Sequence, residues 1–160
     1  MRSGDNRGGA LPAEQPERLS HLQQDALGFF YRWGGALSST LTHIRGRSLH
    51  DAFVERMAAQ LADYRVGPGL DRDNQLGALV SVSERDKVAE LVDSAVADGA
   101  EVVTGGHAME GGAFYEATLL QGVRHGSRIT ETEIFGPVTT VVRFDEVDEA
   151  VRMANDTEFG

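Results

Sequence analysis

Hydrophobic positions along this chain become periodic only from about residue 48. Leu49, Ala52, Phe53, Met57 and Leu61 recur at the three- and four-residue spacing of one helical face, with Ser48 as a candidate N-cap and Gly67-Pro68-Gly69 as a stop. A second helix is expected behind Ser83, with Glu84 and Asp86 in its first turn, where the aligned amide dipoles favour anions. Its inner face is Val88, Leu91, Val92, Ala95 and Val96, and Gly99 can take the left-handed conformation that ends a helix. The period then shortens. Strands are expected over residues 100–104, 113–120 and 137–144, the first closed by Gly105-Gly106. From Asp145 an acid-led amphipathic helix follows, with Val147, Ala150, Val151 and Ala154 inward. Helices alternating with short strands predict an α/β fold.

The first 47 residues do not share this order. Residues 1–24 mix Gly, Pro and charge without a sustained period, and are expected to be loop or disorder. An aromatic cluster follows, Phe29, Phe30, Tyr31 and Trp33, then a Gly34-Gly35 break and a small-polar run that specifies no element. The domain division expected from pattern alone is therefore residues 1–47, irregular and partly disordered, and residues 48–160, a folded α/β unit.

Composition narrows the function classes. Apolar content of 41% and charged content of 25% are those of an ordinary soluble domain, and no run nears the roughly 18 apolar residues of a membrane span. With no secretory leader, the expected compartment is the cytoplasm. The net charge of −10 is uneven: six arginines against four carboxylates in the first 50 residues leave about −12 for the rest. An acidic body argues against a nucleic-acid partner, which needs a basic footprint. Cysteine is absent, which removes disulfides, thiolate metal sites and any thiol nucleophile from these residues. The five histidines, His21, His43, His50, His107 and His125, lack metal-ligand spacing and are expected at the surface or in loops. Asp145, Glu146, Asp148 and Glu149 are expected to be a solvated helix start, not a cation site.

One stretch combines chemistry with a turn. In ETEIFGPVTTVV, residues 131–142, Gly136-Pro137 makes a corner ahead of the strand formers Val138, Thr139, Thr140, Val141 and Val142. Glu133 and Phe135, two positions apart, can offer a carboxylate and a flat apolar face to one ligand. The plain alternative is a turn with a solvated Glu and a core Phe.

Four separated segments in this order resemble the aldehyde dehydrogenase superfamily: VGPGLDRDNQLGALVS, VAELVDSAVADGAEVVTGG, FYEATLL and ETEIFGPVTTVVRFDEVDEAVRMANDTEFG. The resemblance runs without large gaps from about Ser48 to Gly160. Ala78 and Ala117 stand where the family usually has proline, changes that affect loop stiffness more than chemistry. The implied fold is part of a three-layer αβα catalytic domain with a mostly parallel sheet, incomplete at both ends. The implied cofactor is NAD or NADP, with Glu133 accepting hydrogen bonds from the nicotinamide ribose and Phe135 packing near its ring.

The same resemblance implies a lost nucleophile. An ungapped alignment of residues 28–48 puts Leu37 at the position of the family's catalytic cysteine, which attacks the aldehyde and passes hydride to the nicotinamide. Ser38 and Ser39 offer only hydroxyls without an evident base. The general-base glutamate and the glycine-rich dinucleotide loop have no counterpart upstream, so neither catalysis nor cofactor binding by this chain alone is expected. Two accounts of residues 1–47 stay open, a diverged family segment or one that does not descend in frame from the family. The motif wording is nearest to betaine-aldehyde or broad-specificity members. A second expectation, from another class, is a non-catalytic module that associates with a full-length relative or with itself.

Overall fold

In the computed structural model the described residues are 41–156, with only the backbone path described over 41–49. The elements are β1 (Leu41–Gly46), α1 (Arg47–Leu61), α2 (Val82–Ala97), β2 (Glu101–Thr104), β3 (Thr118–Gln121), α3 (Arg128–Glu131), β4 (Val138–Phe144) and α4 (Val147–Asn155). The four strands form one sheet in the order β1-β4-β3-β2. β1 and β3 flank β4 in parallel, and β2 joins β3 antiparallel, so the sheet is mostly parallel.

β4 shows why this sheet needs a layer on each side. Its first five residues are all buried, the continuous burial of a strand covered on both faces. Alternate side chains enter different cores. Val138 and Val142 join Val88, Leu91, Val92 and Ala95 of α2, while Val141 joins Phe53, Val54, Met57 and Leu61 of α1. In β3, Leu119 enters the α1 core and Leu120 the α2 core, each with no exposed surface. Three layers, helix, sheet and helix, follow from that alternation.

Several local expectations are corrected. α1 begins at Arg47, so Ser48 lies inside its first turn and is not its cap. α2 begins two residues earlier than the Ser83 cap would place it: extended Ser81 accepts a hydrogen bond from the Glu84 amide at 3.1 Å. Val96 is 44% exposed, beyond the edge of the buried stripe. Gly99 does end the helix, at φ +101°.

Of the expected 113–120 strand only residues 118–120 join the sheet, and the strand runs one residue further, to Gln121. The preceding residues fold back on 107–109 instead, with the Met109 amide donating to the Phe114 carbonyl and the Glu116 amide to the His107 carbonyl. Two bonds pin this loop to the entry of α2: the Leu79 amide donates to Ala113 and the Arg85 guanidinium to Gly112, at 2.7 and 2.6 Å. In α4 most of the assumed inner face is outward, with only Ala150 of its four residues partly buried. Val147, Val151 and Ala154 are exposed, and the partly buried Met153 packs on the α2 core. β1, which no periodicity marks, pairs with β4 along its whole length.

Candidate cofactor site

The site begins with two buried isoleucines. Ile129 in the one-turn helix α3 and Ile134 just after it are each 1% exposed, in the core that holds Val88, Leu91 and Val138. An extended chain alternates its side chains. With Ile134 anchored inward, its neighbours Glu133 and Phe135 are left on the outer side, Glu133 exposed and Phe135 45% exposed. The corner behind them is tied down, because Pro137 accepts from the Thr118 amide at 2.8 Å and so joins the start of β3.

Glu133 and Phe135 open on one cavity of about 120 Å³. Arg128, Thr132 and Ile134 complete its near side, and α2 supplies the far side through Glu84, Lys87, Val88 and Leu91. Val88 and Leu91 make an apolar floor, and charges stand at the rim. Lys87 donates to Glu84 at 3.1 Å, a surface pair worth little in stability. Among the described residues neither the Glu133 nor the Arg128 side chain has a hydrogen bond or ion pair, so the Glu133 carboxylate is available to accept from a ligand.

The structure thus brings Glu133 and Phe135 together on one opening. Leu37, Ser38, Ser39 and the aromatic cluster lie outside the described residues. Glu84 was expected only as a first-turn anion of α2, and nothing in the sequence singled out Lys87. They share a helical face with Val88 and Leu91 at offsets 0, 3, 4 and 7, a spacing that marks one face but not what stands across from it. Of the histidines, His107 is exposed, whereas His50 is a correction: it is 6% exposed, with Nδ1 3.0 Å from the Asp51 carboxylate. Among the described residues, no group of three or more His, Cys, Asp or Glu could hold a metal ion, and no helix is long and apolar enough to cross a membrane.

A mostly parallel sheet covered on both faces, with a carboxylate and an aromatic ring lining a cavity beside it, defines a layered α/β protein. The model of the aldehyde dehydrogenase family matches residues 24–160, and the chain belongs to that family. It is 41% identical over 157 residues to the aminoacetaldehyde dehydrogenase of Pseudomonas aeruginosa, covering 96% of this chain and 32% of that protein. The succinate-semialdehyde dehydrogenase structure from Burkholderia pseudomallei superposes with a TM-score of 0.71 at 36% identity, over 73% of this chain and 24% of that one. An NAD+ complex of a Bacillus cereus aldehyde dehydrogenase gives 0.70 at 28% identity, over 74% and 24%. The chain spans about a third of the curated relative's length.

Proposed function

We propose that the cavity between α2 and residues 132–135 is the nicotinamide-ribose contact of an NAD(P)-dependent aldehyde dehydrogenase, and that these 160 residues alone do not oxidise aldehydes. The observation that carries the first half is the placement of Glu133 and Phe135 on one opening. A carboxylate without a protein partner can accept both hydroxyl protons of a vicinal diol. A half-exposed ring presents an apolar wall to a flat heterocycle and keeps water from its edge. The group fits the residues that are present.

When bound, the nicotinamide supplies a hydride acceptor for the conversion of an aldehyde and water to a carboxylic acid. The chain's own share of that chemistry is binding and orientation. No residue in it can form a thiolate, and Leu37 at the family's cysteine position has no lone pair to attack a carbonyl. The cytoplasm is the compartment proposed, because cysteine-free α/β units need no oxidising environment.

The test is thermal unfolding of the purified chain by far-UV circular dichroism, with and without millimolar NAD. Binding to the native state alone raises the midpoint, by about 2.7 kcal/mol of stability at a hundred times Kd. Against the expectation from the missing dinucleotide loop, a contact built as proposed gives a raised midpoint in the wild type and a smaller rise in Glu133→Gln, which keeps the shape but weakens acceptance from the diol. A midpoint indifferent to NAD overturns the reading.

A second reading, a non-catalytic module that docks on a full-length family member, is favoured by the outward Val147 and Val151, 67% and 55% exposed.

A further inference from the structure

Gly136 is glycine for lack of space, not for conformational freedom. It is not among the seven described glycines with positive φ, so an L-residue could adopt its backbone. A Cβ at 136, however, would stand 2.7 Å from Cγ2 and 3.2 Å from Cγ1 of Val88, with Leu79 Cδ2 at 3.6 Å. Real Cβ atoms do not approach another carbon to 2.7 Å, so one side would have to move.

Neither side can move at low cost. Val88 is 2% exposed within α2, and a β-branched side chain in a helix has one strongly preferred rotamer, so its methyl groups cannot swing aside. The corner is held by buried Ile134 on one side and by the Pro137 carbonyl bond on the other. Val88 also lines the same cavity as Phe135 and Glu133.

We infer that Val88 is a positioning residue for the ligand site. Its two methyl groups, closed against the bare Cα of Gly136, set the separation between α2 and the corner, and that separation sets where Glu133 and Phe135 stand opposite Glu84 and Lys87. The inference rests on the reading of this cavity as a nucleotide site only for its ligand, because the packing is independent of what binds.

Four forms of the 160-residue chain test it: wild type, Gly136→Ala, Val88→Ala and the double variant. Each is examined by ¹H–¹⁵N correlation spectra and by titration with NAD. The expected result is that Gly136→Ala keeps a cooperative thermal transition but displaces the amide resonances of Glu133 and Phe135 and weakens NAD at least tenfold. Removing the Val88 methyl groups in the double variant should return those resonances toward wild type and recover most of the affinity. Resonances that stay in place in Gly136→Ala, or a double variant that shows the sum of the two single effects, would overturn the inference.

Failure of the wild type to bind NAD would sink the proposed cofactor site alone, since the resonance rescue still decides the role of Val88. If Gly136→Ala does not fold, the comparison passes to Val88→Thr and Val88→Ala. Thr keeps the branched shape and should leave Glu133 and Phe135 where they are, whereas Ala should displace them. Equal spectra from the two would refute the positioning role.

Discussion

At the scale of single residues, Tyr115 shows how a polar atom is kept in the interior. The side chain is 1% exposed, and its hydroxyl donates to the Gly106 carbonyl at 3.0 Å. The same glycine's amide donates to Thr118 Oγ1, which in turn donates to the Glu116 carbonyl, so three hydrogen bonds satisfy the polar groups around the loop. Burial raises the Tyr115 pKa above the ordinary phenol value, and the Asp93 and Glu116 carboxylates push it the same way. The neutral phenol is therefore favoured in the folded state. Its contribution is fully present below the unfolded value of about 10, and is lost as pH rises from there toward the higher folded value. Urea midpoints should fall through this alkaline range in the wild type. Tyr115→Phe should flatten that fall and, at neutral pH, cost about 1 kcal/mol for the lost bond to Gly106. An alkaline fall of equal size in the variant would assign the titration to other groups.

At the scale of elements, the start of α2 is the sharpest case. Ser81-Val82-Ser83-Glu84 contains two candidate caps, and the first satisfies the Glu84 amide. The spacing Ser81 to Glu84 is that of a capping box, so the answer was legible in principle, although Glu84 turns to Lys87 and does not reach back. Ser81→Ala should cost about 1 kcal/mol in urea unfolding, and Ser83→Ala much less. The reverse order would restore the expected start at Ser83. The two long helices and β4 were readable because each carries a strong period or an unbroken β-branched run. β1 was not: His43 and Arg45 interrupt any apolar pattern, and only pairing with β4 defines it. Residues 113–117 look like strand because Phe114 and Tyr115 are strand formers running into Thr118, Leu119 and Leu120, yet their partner is the neighbouring 107–109 loop. In α4 the period correctly groups Val147 and Val151 on one face but cannot say that this face turns outward. The site divides in the same way, with Glu133 and Phe135 visible as a local spacing and Glu84 and Lys87 placed opposite them only by tertiary packing.

At the scale of the molecule, apolar surface competes with charge. Leu70 is 99% exposed and Val80 89%, and Val147 and Val151 lie one turn apart on α4, which packs beside β1 and β4. Apolar surface of this kind is what the docking reading requires. The net charge of −10 opposes association of two copies, while salt shortens the range of that repulsion to a Debye length of about 8 Å at physiological strength. Sedimentation velocity should therefore show monomer at low salt and a growing larger species as salt is raised. Val147→Lys with Val151→Lys should hold the chain monomeric at both salt levels, because the mutations replace the apolar stripe by charges that must stay hydrated. The same pair of variants separates the two outcomes of the docking reading: if the valine stripe is the contact, co-elution with a full-length family member is lost along with self-association. A wild-type chain that stays monomeric in salt and ignores the full-length relative would leave α4's outward face as ordinary surface and retire that reading.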